Sequence, residues 1–415
     1  MIPARPSTKA LWQDADFRRL WLGQTASQLG AQTCQIILPL ITVVALNADA
    51  QQLGLLRSVQ QAPILLLSLF AGAWVDRRRA RTVMVVADFG RAAALAVVPV
   101  AYLLGLLGMP LLVLVAFLIG ALSVYFDVAY QALLVRLVDR DRLAQGNGVL
   151  EGSRSAAQIA GPALGGAMAS LLAAPIAIMG SAFFFALSFL SIRRIRRVEP
   201  LPEPTARQAH QGLRFVIGDP SLRAVGISSA LFQFSFAALM TVYLLFLPRT
   251  LHLPGAAVGL VLAATGPGAL VGSLLSALLP RRFGYGPVLV SAAVLADGVM
   301  LVVPALHGSS AVTIAALMAV NFLFGVFSQL VDVTVVTVRQ AITPIPLQGR
   351  VVATINFVGM GLTPLGSLLG GYLAGALGPR TGLLLTAVAL ALSPLFMALS
   401  PLARLGKDLP GTAGH

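Results

Sequence analysis

The sequence is poor in charged residues, in cysteine and in lysine. Only 11% of its 415 residues are charged, whereas soluble domains carry about 25%. The single cysteine, Cys34, rules out an internal disulfide. The only lysines, Lys9 and Lys407, lie near the ends of the chain, so no phosphate-binding loop of the Gly-Lys-Ser/Thr kind is present. The four histidines lack metal-ligand spacing. We therefore expect no metal, no cofactor and no enzyme activity.

Long apolar segments fill the rest of the chain. Segments of about 20 residues, the length that crosses a bilayer as a helix, recur along its whole length. They predict an all-α integral membrane protein with twelve transmembrane helices in two pseudo-symmetric six-helix halves. The predicted spans are about 20–46, 53–75, 82–106, 110–137, 147–172, 174–192, 222–248, 255–279, 286–306, 309–338, 350–377 and 380–402. The predicted domains are an N-terminal segment 1–19, bundles 20–192 and 222–403, a linker 193–221 and a tail 404–415.

The net charge of +14 is a topology signal. Lys and Arg concentrate at the termini and in the connections that lead from an even-numbered predicted span to the next odd-numbered one. Arg57, Arg249 and Arg380 are the exceptions. Positive residues stay on the cytoplasmic side, so both termini are predicted to be cytoplasmic, in a bacterial inner membrane. Because the charges follow topology, we expect a lipid bilayer and no nucleic acid as partner. The polar segment before a full-length first span argues against a cleavable signal peptide.

The chain repeats itself at an interval of 205 residues. FLIGALSVYFDV, beginning at Phe117, matches FLFGVFSQLVDV, beginning at Phe322, at six of twelve positions. Val97-Val98-Pro99 recurs as Val302-Val303-Pro304 at the same interval. Parallel repeats of this kind are typical of secondary transporters, in which substrate binds between the halves near the middle of the bilayer.

Polar side chains recur at helical spacing in several spans. Polar atoms in a bilayer must face protein or water, so these stripes predict a wet cavity, although single glutamines also bridge helices. The candidate cavity residues are Gln24, Gln28, Gln35, Arg57, Gln61, Ser123, Gln131, Gln158, Gln233, Asn321, Ser328 and Asn356.

The repeated segment carries an aspartate in each half, Asp127 and Asp332. A charge at this depth costs at least about 2.5–3.5 kcal/mol on insertion scales, so a carboxyl kept there has a role. We predict that one or both load and release the coupling proton; a fixed salt bridge or helix-packing role is the alternative. Asp88 and Arg91, three residues apart, predict a local charge pair. Asp297 is expected to have a packing role.

Two motifs resemble those of the major facilitator superfamily. The segment from Gly72 to Arg81 resembles the gating motif between the second and third spans. The resemblance implies gating roles for Gly72, Asp76, Arg77, Arg78, Arg81 and Arg136, with Asp76 pairing with Arg136. Trp74 and Arg79 depart from that motif. In the fifth span, Gly161, Pro162, Gly165 and Gly166 resemble the motif of proton-driven exporters; a helix-packing patch without directional meaning is the alternative.

Further segments narrow the resemblance to siderophore exporters and macrolide-efflux proteins. They include Phe17-Arg18-Arg19-Leu20-Trp21 and Arg142-Leu143-Ala144-Gln145-Gly146-Asn147. The resemblance implies a monomeric, proton-coupled exporter of a small amphipathic organic molecule that works by alternating access, with the proton gradient as energy source. Two alternatives remain open: a phospholipid or lysophospholipid transporter of the same fold, and a membrane sensor or partner subunit that transports nothing.

Overall fold

The computed structural model describes residues 8–75, 77–138, 142–197, 209–344 and 347–407. Every regular element in this part of the chain is helical. Contacts divide the chain into two compact units. Unit 1 comprises Met1–Leu46 and Pro63–Thr205, and unit 2 comprises Asn47–Ala62 and Ala206–His415.

Unit 1 is built from long helices. They are α1 (Thr8–Gln13), α2 (Ala15–Leu40), the second part of α3 (Ala50–Val75), α4 (Ala80–Leu103), α5 (Met109–Leu137), α6 (Leu143–Leu171) and α7 (Ala174–Arg193). Asp14 begins α2, because its carboxylate accepts from the backbone N–H groups of Asp16 at 2.8 Å and Phe17 at 3.3 Å. Such N-caps satisfy donors that have no partner inside the helix.

In unit 1, α7 packs against both α2 and α4. Helix α4 packs against α5 and α7, and α2 packs against α6 and α7. An apolar core between these helices includes Phe17, Leu20, Met84, Phe126 and Leu133, each at most 1% exposed. Each α4 side chain that points into this core therefore has to find its partners among α2, α5 and α7.

Unit 2 contains more interrupted helices. They are the first part of α3, then α8 (Ala209–Gly218), α9 (Pro220–Arg249), α10 (Gly255–Ala263), α11 (Thr265–Ser276), α12 (Leu279–Phe283), α13 (Tyr285–Val299), α14 (Ala311–Ile342), α15 (Gln348–Gly361), α16 (Thr363–Leu377) and α17 (Pro379–Leu399). Helix α9 packs against α15, α16 and α17, and α14 packs against α11 and α13.

Glycines set the distance between α11 and α14. A Cβ built on Gly268 would lie 2.1 Å from the carbonyl oxygen of Phe322, and one on Gly272 would lie 2.1 Å from that of Val326. No real side chain tolerates such contacts with backbone. Small residues allow helices in a membrane to approach closely, so this seam depends on glycine at both positions.

Helices occupy all twelve predicted spans. In the described part of the chain, ten helices are long and apolar enough to cross a membrane. Helices α3 and α6 are not among these ten; α6 carries the charged residues Glu151 and Arg154 within its first half. Two predicted spans are divided, one between α10 and α11 and one between α15 and α16. Helix α8 lies within the predicted linker.

Candidate functional site

The polar stripe of α5 runs from a buried to an exposed end. Gly120 is buried, Ser123 is partly buried, and Asp127 and Gln131 are exposed. Ser123 Oγ accepts a hydrogen bond from Arg91 Nη1 at 3.3 Å. The α5 stripe thus joins an accessible carboxyl to a buried polar centre on α4.

That centre is an ion pair inside unit 1. Asp88 is 0% and Arg91 2% exposed, and Arg91 Nη2 contacts Asp88 Oδ1. Ser188 Oγ donates to Asp88 Oδ2, and Ser27 Oγ donates to Asp88 Oδ1 at 3.3 Å. Arg91 Nη2 also donates to Ser27 Oγ at 2.9 Å. A buried charge needs such partners because removal from water is costly.

Aromatic rings complete the surroundings of this guanidinium. The Cζ atom of Arg91 lies 4.4 Å from the ring centre of Phe126 and 4.3 Å from that of Phe185. A guanidinium over a ring face is stabilised by the ring quadrupole, more so when desolvated. The sequence predicted the Asp88–Arg91 pair without its serine and aromatic partners, which come from distant parts of the chain.

Asp127 lies within range of two cations on other helices. Arg91 of α4 and Arg154 of α6 are near enough to attract its carboxylate. Arg154 Nη1 lies 3.9 Å from Glu151 Oε2, and both side chains are exposed. Charged groups of α4, α5 and α6 thus lie near one another around Asp127.

The glutamine stripe of α2 does not share one environment. Gln24 is 3% exposed, and its Oε1 atom has no hydrogen-bond partner among the described residues. Gln28 is partly buried and Gln35 is exposed. Gln24 is therefore not an accessible cavity residue of unit 1, because α2 is enclosed at its level, whereas Gln158 on α6 is exposed.

Two further candidates lie on the part of α3 that belongs to unit 2. Gln61 Oε1 accepts a hydrogen bond from Ser367 Oγ of α16 at 3.2 Å. Arg57, one turn before it, is partly buried. Gln61 thus holds two helices of unit 2 together in this structure.

In unit 2, Asp332 is exposed and Ser328 partly buried on α14. Asn321 of the same helix is 0% exposed. Its Nδ2 atom donates to Tyr243 Oη of α9 at 2.7 Å and to Leu317 O at 2.9 Å. Asn321 is thus enclosed within unit 2, where Tyr243 is its hydrogen-bond partner. Gln233 is partly buried and Asn356 exposed.

The gating motif is described in part. Asp76 lies outside the described residues, and so does its predicted pairing with Arg136. Gly72 lies within α3, and Arg77 and Arg78 are exposed. The guanidinium of Arg78 lies over the Trp74 ring at 4.7 Å. Arg81 Nη2 donates to Arg193 O of α7 at 2.9 Å.

The exporter-like motif of α6 packs against α2. A Cβ on Gly161 would lie 2.2 Å from Cβ of Gln32, and one on Gly165 would lie 3.1 Å from Thr33 O. Pro162 lies inside the helix, and Gly166 is buried. These glycines have a packing role, whatever further role the motif has. Within the described residues, no group of three or more His, Cys, Asp or Glu side chains is arranged to hold a metal ion.

Solved structures share the fold of this chain. The chain is similar to a bacterial homologue of the iron transporter ferroportin in an inward-facing state, with a TM-score of 0.74, 16% identity and coverage of 94% of this chain and 98% of that one. It is also similar to a bacterial homologue of the human lysosomal transporter Spinster, with a TM-score of 0.72, 13% identity and coverage of 96% and 98%. The fold is that of a major facilitator transporter, as the sequence predicted.

Residues 7–411 match the family described as transmembrane secretion effectors. The chain belongs to this family, and it is a multi-pass membrane transporter rather than an enzyme. A curated relative, the multidrug efflux pump Tap of Mycobacterium tuberculosis (strain ATCC 25618 / H37Rv), is 31% identical over 366 residues, 81% of this chain and 82% of the relative. The pump of the same name from Mycolicibacterium fortuitum is 28% identical over 363 residues, 81% of this chain and 86% of the relative.

Proposed function

We propose that this protein exports small amphipathic organic compounds, drugs among them, and that protons entering the cell drive the export. The substrate class is supported by the relatives, which are named as multidrug efflux pumps and align with most of this chain. Alternating access would expose one binding region first to one side of the membrane and then to the other.

The observation that carries the coupling proposal is the position of Asp127. It is an exposed carboxyl in α5, a helix of 29 residues whose other charged residue is Arg136 at its last turn. Such an ionisable group within a membrane span is a functional site by default. In its ionised form Asp127 attracts Arg91 and Arg154. In its protonated form it is neutral and no longer attracts the two arginines.

This release gives a physical route from proton to helix movement. Arg154 belongs to α6 and has Glu151 as a second carboxylate partner at 3.9 Å. Arg91 has Asp88 as its second partner. Protonation of Asp127 therefore leaves each arginine with only the carboxylate of its own helix and weakens the attraction between α5 and its two neighbours. A coupling ion acts when it binds two conformations unequally.

Asp332 is the corresponding carboxyl of the repeat in unit 2. It is exposed on α14, with Ser328 one turn away. In the described part of the chain no cation is in electrostatic contact with it. We therefore assign proton coupling to Asp127 first, and substrate orientation, especially of cationic compounds, to Asp332.

The test is transport driven by a pH gradient in proteoliposomes, with ethidium and a macrolide as probes. Asp127→Asn keeps the side-chain volume and mimics the protonated form. We expect it to abolish gradient-driven accumulation while probe exchange across the membrane continues. Asp332→Asn should reduce the transport of cationic ethidium more than the transport of a neutral probe.

The matched control is Asp297→Asn. This carboxyl is also within a span, but it is 2% exposed and accepts from Ser393, and we expect its variant to transport like the wild type. Wild-type accumulation by the Asp127→Asn and Asp332→Asn double variant would refute carboxylate coupling. If the protein transports lysophospholipid but neither probe, the proposed substrate class is wrong and the substrate is a lipid.

A further inference from the structure

A basic cleft opens on unit 1 where α4 begins and α7 ends. Its volume is about 420 Å³. The cleft is lined by five arginines and an aromatic ring, namely Arg79, Arg81, Arg193, Arg196, Arg197 and Phe189. It lies at the end of the unit that the basic connections mark as cytoplasmic, and none of its arginines belongs to the Asp127 face.

Backbone contacts fix the arginines in place. Arg79 is the N-cap residue of α4, in an extended conformation. Arg81, in the first turn of α4, donates to the carbonyl oxygen of Arg193 at 2.9 Å and so joins the two walls of the cleft. The backbone N–H groups of Arg196 and Arg197 donate to the Asp16 carboxylate at 3.1 and 2.9 Å. The cleft is therefore a built feature of the fold, not a chance meeting of long side chains.

Two described carboxylates, Asp14 and Asp16, contact residues of the cleft, which is lined by five arginines. The Asp16 carboxylate accepts hydrogen bonds from Arg19 at 2.6 Å and from the two backbone N–H groups. Asp14 caps α2 and lies 4.0 Å from Arg197, whose guanidinium also donates to Leu137 O. The positive end of the α4 dipole points toward the same region. The arginines that line the cleft thus outnumber these two carboxylates, and the helix end also favours an anion there.

Apolar side chains also line the cleft. Val85 and Phe189 are among its lining residues. Phe89, one turn beyond Val85 on α4, packs on Phe189 with ring centres 5.6 Å apart and is 59% exposed. A free phosphate ion gains no binding energy from contact with an aromatic ring, whereas a lipid carries an acyl chain next to its phosphate that can pack against one.

We propose that this cleft binds an anionic phospholipid, with the arginines on the phosphate and an acyl chain along Phe189 and Phe89. Basic pockets between helices on the cytoplasmic side recognise such head groups, and each basic residue near the surface strengthens binding. Arginine suits phosphate because its planar fork makes paired hydrogen bonds. The bound lipid would join the start of α4 to the end of α7.

The experiment is native mass spectrometry of the full-length protein in detergent, titrated with dioleoyl phosphatidylglycerol or dioleoyl phosphatidylcholine. The variant is Arg79→Gln with Arg196→Gln, since Arg81 and Arg197 make structural contacts. Removal of two charges should weaken phosphatidylglycerol binding by roughly 25-fold and leave phosphatidylcholine binding unchanged. The control is Arg281→Gln with Arg282→Gln, two exposed arginines of α12, which removes the same charge elsewhere and should change neither.

Two further arms separate a lipid from a free anion. Phe189→Gln should weaken phosphatidylglycerol binding, and inorganic phosphate at millimolar concentration should not displace the lipid. Melting temperatures of all variants should stay at the wild-type value, which excludes a folding defect. If the two arginine double variants lose the same amount of phosphatidylglycerol affinity, the proposed site is wrong. Full displacement by phosphate, with no effect of Phe189→Gln, would overturn the lipid as its ligand.

Discussion

Ser188 and Ser393 lie 205 residues apart, and each donates a hydrogen bond to a buried aspartate of its own half. Ser188 donates to Asp88 of α4, and Ser393 donates to Asp297 of α13 at 3.0 Å. The serines keep the interval of the repeat, whereas the two aspartates are 209 residues apart, one helical turn out of step. The two contacts differ in charge: Asp88 has Arg91 beside it, whereas Asp297 has a serine hydroxyl.

This difference predicts opposite tolerances to neutralisation. Asp88→Asn leaves Arg91 buried without its counter-charge, and breaking a buried pair from one side costs about 3–5 kcal/mol. We expect a large fall in the melting temperature in detergent. Asp297→Asn keeps a hydrogen-bond partner for Ser393 and removes no counter-charge, so its melting temperature should change little. Equal effects of the two variants would contradict the role of Arg91.

The same pair predicts strong coupling between its members. In a double variant, Asp88→Leu with Arg91→Met, no buried charge remains uncompensated. Apolar replacement of a whole buried pair is often neutral or stabilising. The double variant should therefore melt above either single variant, Asp88→Leu or Arg91→Met. Losses that simply add would mean that the two side chains do not stabilise each other.

The contact between α6 and α2 predicts a contrast between two glycines of one helix. Gly161→Ala would place a Cβ 2.2 Å from Cβ of Gln32, whereas a Cβ on Gly152 would meet nothing within 4 Å. Gly161→Ala should therefore lower the melting temperature. Gly152→Ala should raise it slightly, because alanine favours a helix over glycine by up to about 1 kcal/mol. A similar response at both positions would show that α6 does not press on α2 at Gly161.

The buried hydrogen bond between α9 and α14 is a further test. Tyr243→Phe removes the oxygen that accepts from Asn321 at 2.7 Å without changing the ring. A net loss of about 1 kcal/mol is expected, measured as a shift in unfolding. Tyr102→Phe, at a tyrosine that is 40% exposed, is the control and should have no effect. Asn321→Leu should cost more, because Tyr243 then keeps a buried hydroxyl without that partner.

Orientation in the membrane is predicted by the basic residues. In a Cys34→Ala background, Leu213→Cys in α8 should be protected from an impermeant thiol reagent in intact cells. Ser309→Cys, just before α14, should react. Both positions are exposed, so access to reagent depends on the side of the membrane. Labelling of Leu213→Cys without lysis would reverse the predicted topology.

The helices and the repeat were predictable from the sequence for different reasons. A segment that must bury its backbone polar groups in hydrocarbon has to be helical. A duplicated pattern is recognised by comparing the two halves of the sequence. The Asp88–Arg91 pair was predictable for a similar reason, since residues three apart on one helix are neighbours.

The partners of polar residues were less predictable, because they depend on which helix arrives opposite. Asn321 lies at helical spacing from Ser328 and Asp332, and this pattern indicated a shared wet face. In the structure Tyr243 of α9 covers Asn321, and nothing in the α14 sequence encodes that. The arginine cleft was missed because its residues were assigned to topology or to the gating motif, and its two walls are more than 100 residues apart in the chain.

The i, i+3 spacing of Asp88 and Arg91 also bears on how the protein is made. Helix α4 has to enter the bilayer during synthesis, before α7 and its Ser188 exist. Two opposite charges on the same face of one helix can pair as soon as that helix forms, so the nascent segment carries little net charge into the hydrocarbon. The pair thus accompanies its own helix through insertion, and Ser27, Phe126 and Phe185 complete its surroundings as the neighbouring helices arrive.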